Sequence, residues 1–233
     1  RIDLSDVEYL MRNKKNTMTL LEGDGDFRSP ECVELLKEAD IVVTNPPFSL
    51  FRDYVALLMQ YNKQFAIIGN QNAITYREIF PLIKSNKIWL GYNNGHYWFM
   101  VPDSYEEKKT DFKIDESGQK WRRMGNICWF TNLDIEKRHE DMTLFRTYSP
   151  DIYPKYDNYD AIEVSKTADI PCDYDGYMGV PITFMQYYNP EQFEIAGLDD
   201  HRVEWVGHGP RLNGKVKYRR VIIRRKQVNI NEN

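Results

Sequence analysis

Asn45-Pro46-Pro47-Phe48 combines residue types suited to one task, holding an amino group that is attached to a flat aromatic ring. Such an amine is a poor nucleophile, because its lone pair is delocalised into the ring. Two acceptors aimed at its hydrogens favour the geometry in which that lone pair can attack. Asn45 supplies a side-chain carbonyl and Pro46 a backbone carbonyl, while Pro46 and Pro47 remove conformational freedom from the turn. Phe48 offers a face on which a base could stack, worth ~1–3 kcal/mol. Proximity and alignment then supply most of the effect, with no general base of shifted pKa needed before transfer. A base inside a duplex would have to be flipped out to reach such a pocket. Read alone, the tetrapeptide is equally an ordinary turn closing a strand.

A second constellation lies upstream, in Gly23-Asp24-Gly25-Asp26-Phe27, with Asp26 placed 19 residues before Asn45. That spacing fits one helix and one strand, so both motifs can reach one end of a parallel sheet. A carboxylate at Asp26 could accept from the adenine amino group of a nucleoside cofactor, with Phe27 packed on its ring and Asp24 alongside. A plain Gly-Asp-Gly turn is the competing explanation. Together the two motifs point to methylation of an exocyclic amine. The amides of Gly69-Asn70-Gln71-Asn72 end a further strand and could line the substrate side, although a polar turn explains them nearly as well.

The elements around these motifs follow from periodicity and capping. Ser5-Asp6-Val7-Glu8 is a capping box, which predicts a short helix ending near Asn13. Residues 17–21 are β-prone. Ser29 and Pro30 read as the N-cap and first position of a helix. Residues 41–44 predict a strand covered on both faces. Phe51, Tyr54, Val55, Leu58 and Met59 recur at the spacing of an amphipathic helix. Residues 65–69 and 87–92 predict further strands, with a capping box at Thr75–Glu78 and Pro81 dividing the helix after it. Strands alternating with helices indicate a parallel α/β sheet. Beyond Tyr92 the pattern becomes β-rich. Asn93-Asn94-Gly95 reads as a hairpin turn with a return strand over residues 96–101. Residues 105–123 read as a polar loop, residues 125–132 as a strand, and residues 147–160 as a linker. Asn213-Gly214 predicts a hairpin with basic strands.

At 233 residues, with 42% hydrophobic and 28% charged, the chain reads as a soluble globular protein without a membrane-length apolar run. Cys32, Cys128 and Cys172 are scattered, and no His shows ligand spacing, which argues for idle thiols in a cytoplasmic protein and against a metal site. The net charge of −4 is uneven, because residues 202–226 hold nine Lys or Arg and one acid, Glu204. A basic tail on an acidic body fits local phosphate contact, and Arg211, Lys215, Lys217, Arg219, Arg220, Arg224 and Arg225 are the candidates. Protection of a strand edge is the bland alternative.

The order Asp-Phe, strand, Asn-Pro-Pro-Phe is similar to that of the amino-methyltransferases. More narrowly, the chain resembles the EcoRI-type adenine-specific DNA methyltransferase family over residues 22–29, 41–51, 67–76, 88–92, 125–132, 157–164, 178–184, 190–195 and 213–225. The resemblance implies S-adenosyl-L-methionine as donor, N6 of a flipped adenine in double-stranded DNA as acceptor, and a Rossmann-like sheet followed by a β-rich recognition region. By position it assigns Asn45, Pro46, Pro47 and Phe48 to the target base, and Asp24, Asp26 and Phe27 to the cofactor. It allows a companion restriction endonuclease but implies no stable protein partner. The family pattern places two strands, with a cofactor loop and an acidic ribose contact, before the Asp-Phe element. Neither is found here, so the expectation is an N-terminally incomplete catalytic domain over residues 1–148 and a recognition region over 149–233. Another amine acceptor, guanine N2 in RNA or a protein glutamine, and a DNA-binding remnant without catalysis both stay open.

Overall fold

The computed structural model describes residues 20–198 and 209–226, together with Tyr9 and Arg12, and falls into two compact units, Arg1–Asp40 and Ile41–Asn233. Tyr9 and Arg12 are helical; the other residues of the helix predicted from Ser5 to Asn13, and residues 17–19, lie outside the described residues. In the first unit, helix α1 (Pro30–Glu38) starts where Ser29, in extended conformation, accepts from the Cys32 amide, with Pro30 supplying the preset φ of the first turn. Glu31 in that turn accepts from the amides of Glu22 at 2.8 Å and Gly23 at 3.1 Å, so the helix start holds the Gly-Asp-Gly turn in place.

The second unit contains two sheets. The first is built from β1 (Ile41–Thr44), β2 (Gln64–Asn70), β3 (Trp89–Met100), β4 (Phe112–Ile114) and β5 (Lys120–Thr131), in the order β1-β2-β5-β3 with β4 on β5. β1 and β2 are parallel, Thr44 opposite Ile67. β5 runs antiparallel to both β2 and β3, so β1, β2 and β3 share one direction and β5 is inserted against them. The sheet is therefore mixed, not wholly parallel. β1 is also covered on one face only, since Ile41 and Val43 are 49% and 66% exposed.

Helix α2 (Phe51–Gln60) links β1 to β2 and buries Phe51, Val55 and Leu58, the face its periodicity predicts. It stops at Asn62, whose φ of +50° reverses the chain, while the Lys63 amide donates to the Leu58 carbonyl at 2.9 Å. Asn132 clamps the sheet beyond it. Its Oδ1 accepts from the Phe65 amide at 2.8 Å, and its Nδ2 donates to the Lys63 carbonyl at 2.8 Å. Gly69 is required near the end of β2. A Cβ there would lie 2.6 Å from Phe51 and 2.9 Å from Phe130, two buried rings with centroids 5.0 Å apart and planes tilted by 59°.

Three local expectations differ from the structure. Asn93-Asn94-Gly95 makes no hairpin, because β3 continues through it with irregular register and pairs with β5 instead. Turn-forming residues also suit a bulge, and Asn126 at φ +57° completes the irregularity on β5. Thr75 caps no helix. Its hydroxyl donates to the Asn72 carbonyl at 2.9 Å within the 3-10 turn Gln71–Thr75, and α3 (Phe80–Lys84) begins later with Pro81 inside its first turn. The polar stretch 105–123 contains β4 and the start of β5, held by Asp115, which accepts from the Ser117 and Gln119 amides and from Trp121 Nε1.

The second sheet has the order β6-β7-β11-β8, formed by β6 (Ala161–Glu163), β7 (Tyr177–Val180), β8 (Phe193–Leu198) and β11 (Val221–Arg225). A separate hairpin joins β9 (Arg211–Leu212) to β10 (Lys215–Val216) through Asn213 and Gly214, both at positive φ, as Asn-Gly predicts. The stretch read as a linker is packed, with Tyr153 and Tyr156 almost fully buried. Tyr156 donates to Glu163, a contact that only Gly179 leaves room for. Glu163 is itself buried and accepts twice from Arg220, at 2.6 and 3.2 Å. Burial pushes the Glu163 carboxyl up, but the hydrogen bonds from Arg220 and Tyr156 outweigh that and hold it below its ordinary value. Lys84 Nζ, donating to the Ala196 carbonyl at 2.6 Å, ties α3 to β8 of the second sheet.

Two expected outcomes follow from this packing. Gly69→Ala overpacks the Phe51–Phe130 contact and lowers unfolding free energy by ~1–3 kcal/mol in urea titration; an unchanged midpoint would remove the steric argument. Arg220→Ala strands the Glu163 carboxylate and lowers it by ~3–5 kcal/mol. The Glu163 contribution is present above its unfolded pKa and is lost as pH falls through its lowered folded value. An Arg220→Ala protein as stable as the parent would show that the pair is dispensable.

Candidate base-binding site and basic surface

β1 hands the chain to Asn45 at its carboxyl end, where ligands of open α/β sheets bind. Asn45 is exposed, Pro46 is buried, and Phe48 is 42% exposed at the start of a 3-10 turn, Phe48–Leu50. Pro46 is thus anchored in the protein while the amide before it and the ring after it face outward. Pro47 closes that turn, its carbonyl accepting from the Leu50 amide at 2.9 Å. The chain then enters α2 at Phe51, whose ring rests against Gly69. A turn fastened at Pro46 and Phe51 can present Asn45 and Phe48 without rearranging, which is what orientation of a weak nucleophile requires.

The neighbouring strand ends in Gly69-Asn70 and continues into the turn Gln71–Thr75. Asn70 Oδ1 accepts from the Asn72 amide at 2.9 Å, so its side chain is used to shape the turn. Gln71 is buried, and no hydrogen-bond partner meets its Nε2 among the described residues.

Asp24, Asp26 and Phe27 belong to the first unit. Asp24 Oδ1 accepts from the Asp26 amide at 3.1 Å. Asp26 is gripped by Arg28, which donates from its amide at 2.9 Å, from Nε at 3.0 Å and from Nη2 at 2.7 Å. Those contacts pull its carboxyl down to about 2, so at neutral pH it is a pure acceptor. A carboxylate has room for about four hydrogen bonds, which leaves capacity for a further donor. Phe27 has the Arg28 guanidinium 5.3 Å from its ring centroid.

The basic candidates fall into two sets. Arg220 belongs to the buried pair with Glu163, Arg219 donates to Thr75 Oγ1 at 3.0 Å, Arg224 pairs with Glu194 at 2.8 Å, and Arg225 donates to the Cys172 carbonyl. Arg220 is thus engaged by a buried carboxylate within the protein. Sequence gave no signal for this, since its partner lies 57 residues away. Arg211 and Lys215 are exposed, and Lys217 is half-buried. Asp157 fixes their hairpin by accepting from the amides of Asn213 at 3.1 Å and Gly214 at 2.7 Å, and Asn158 Oδ1 accepts from the Arg211 amide at 3.0 Å. Residues 202–208 lie outside the described residues.

A cavity of about 580 Å³ lies elsewhere, lined by residues including Arg146, Tyr153, Glu163 and Lys217 but not by Asn45. Among the described residues no cluster of His, Cys, Asp or Glu could hold a metal ion, and no helix is long and apolar enough to cross a membrane.

The family described as "Adenine-specific methyltransferase EcoRI" matches residues 1–226. The type II methyltransferase M.EcoRI of Escherichia coli is 51% identical over 214 residues, covering 88% of this chain and 64% of that protein. The type II methyltransferase M.MgeORF184P of Mycoplasma genitalium is 42% identical, covering 95% of this chain and 75% of its own length. M.MpnI of Mycoplasma pneumoniae is 41% identical, with 89% and 70% covered. The chain thus spans a little under two thirds of M.EcoRI. No solved structure matches significantly. The chain belongs to the EcoRI-type family of adenine-specific methyltransferases.

Proposed function

We propose that this chain carries the base-binding and DNA-recognition parts of a site-specific DNA methyltransferase that transfers a methyl group from S-adenosyl-L-methionine to N6 of a flipped adenine. The observation that carries the reading is the Asn45–Phe48 turn, fastened at Pro46 and presenting an exposed amide and ring at the carboxyl end of β1. The relatives, all named type II methyltransferases, support the same reaction.

In this reading Asn45 Oδ1 and the Pro46 carbonyl accept the two amine hydrogens, and Phe48 stacks on the purine. Pro47 stiffens the turn that presents them. S-adenosyl-L-methionine, when bound, supplies an electrophilic methyl group. Asp26 would accept from its adenine amine, for which its ionised state and spare lone pairs are suited, with Phe27 against the ring and Asp24 shaping the turn. A Rossmann-like catalytic part over residues 1–148 and a recognition region over 149–233 agree with the strands of the first sheet lying within 41–131 and those of the second within 161–225. Further strands of a Rossmann-like sheet would pair along the outer edge of β1, the end strand of the first sheet among the described residues.

Of the basic side chains, Arg211, Lys215 and Lys217 are the best candidates for phosphate contact, because the other four already hold partners within the protein. A companion restriction endonuclease fits the type II naming of the relatives.

Asn45→Ala in the full-length protein is expected to lower methylation of adenine in DNA by at least ~10²-fold, on the scale of losing an oriented catalytic contact, with the fold intact by circular dichroism. Near-normal turnover, or label from tritiated donor appearing on RNA or protein but not DNA, would contradict the assignment. Replacing Arg211, Lys215 and Lys217 with Gln should flatten the log–log salt dependence of DNA binding by roughly 0.9 per lost contact. A slope unaffected by all three would move the phosphate surface elsewhere.

A further inference from the structure

Gln71 has a feature the reaction described so far does not use. The residue is only 5% exposed, yet its amide nitrogen meets no hydrogen-bond partner among the described residues. A buried donor left unpaired is destabilising, so Gln71 Nε2 has the capacity to take a partner from outside the fold, a water or a ligand. Looseness is not the cause. The Asn70 side chain fixes the turn at its start, Thr75 bonds back to Asn72 across it, and Arg219, two residues before β11, donates to Thr75.

The position is informative. β1 and β2 are adjacent and parallel, so Asn45 and Gln71 follow neighbouring strands at the same end of the sheet, with β2 running on to Asn70 past Ile67, the partner of Thr44. Phe51, three residues beyond Phe48, packs on Gly69, two residues before Gln71. The turn that presents Asn45 and the turn that carries Gln71 are thereby linked through the Phe51–Gly69 contact at one sheet end.

The chemistry of the acceptor base fits what is missing there. Asn45 and Pro46 offer only acceptors, which match the two hydrogens of the amine. The ring nitrogens flanking that amine, N1 and N7, are themselves acceptors and require a donor. We propose that Gln71 Nε2 donates to one of these ring nitrogens and so takes part in selecting adenine. This rests on the adenine-methylating reading above. A donor facing N1 would also reject guanine and thymine, which carry an N–H at the equivalent ring position.

The test uses full-length protein, S-adenosyl-L-methionine and duplexes carrying adenine, 1-deazaadenine or 7-deazaadenine at the target position. Gln71→Met keeps the bulk and removes the donor; Gln71→Ala, which cannot overpack, is measured alongside. On adenine both variants are expected to lose roughly 10- to 100-fold in kcat/KM, the range of one lost hydrogen bond to a buried group. On one of the two deaza substrates, wild type and variants should perform alike, because the paired nitrogen is already gone. The Tm of Gln71→Met should match or exceed that of wild type, since an unpaired buried donor has been removed. Equal losses on all three substrates, no loss on adenine, or a drop in Tm large enough to account for the loss would overturn the proposal. Wild-type protein that methylates none of the duplexes would instead overturn the functional reading, and this proposal with it.

Discussion

The parallel pairing of β1 with β2, locked by the contact of Phe51 on Gly69, is the constraint from which the site follows. Parallel neighbours must release their chains at the same end, so the two polar turns after Thr44 and Asn70 converge by topology. The helix between the strands determines how closely. α2 can lie down on β2 only because residue 69 has no side chain, and its first residue, Phe51, follows directly on the turn that begins at Asn-Pro-Pro-Phe. Pro46 contributes stiffness rather than attraction. It is buried, it fixes its own φ, and it leaves the exposed Asn45 amide little freedom to collapse onto the protein. An exposed amide and a half-exposed phenyl ring on a braced turn make a surface prepared for a planar ligand bearing hydrogens at its edge.

The second sheet solves a different problem, that of carrying many cations on a stable support. Its central strand β11 is apolar at Val221–Ile223 and basic on either side. Among the flanking cations, Arg220 is drawn inward, and the desolvation of its partner Glu163 is offset by a fork of guanidinium hydrogen bonds and by Tyr156. Such a pair adds little net stability compared with an apolar contact, yet it cannot be half removed. The hairpin of Arg211 and Lys215 is held by Asp157 and Asn158 through backbone amides, which leaves its cationic side chains facing solvent. Positive charge is thereby divided between cohesion and surface. Net charge alone, at −4 for the chain, hides that division completely.

What could be read from sequence was what short-range physics decides. Ser29-Pro30, the period of Phe51 to Met59, and Asn213-Gly214 each specify their geometry within a few residues, and each has it in the structure. Asn-Pro-Pro-Phe likewise announced a braced turn, and the exposure of Asn45 and Phe48 is consistent with it. The misreadings share one cause. Asn93-Asn94-Gly95 looks like a hairpin because its true partner, β5, is some thirty residues downstream, and no local rule can see it. Residues 147–160 look like a linker because tyrosines spaced without period give no hint that Tyr153 and Tyr156 turn into a core built by later strands. The engagement of Arg220 by Glu163 and of Arg219 by Thr75 depends on contacts 57 and 144 residues apart. Gln71 was visible as a polar residue at a strand end. Only three-dimensional packing shows that it is buried, with its amide nitrogen unmatched among the described residues.

The account stands on a purine amine being held between the Asn45 side chain and the Pro46 carbonyl. A crystal structure of the full-length protein with duplex DNA and a cofactor analogue lacking the transferable methyl tests this most directly. The account predicts an extrahelical adenine stacked on Phe48, its N6 within ~2.7–3.2 Å of Asn45 Oδ1 and of the Pro46 oxygen. A target adenine bound elsewhere, or an Asn45 amide turned into the protein in that complex, would contradict it.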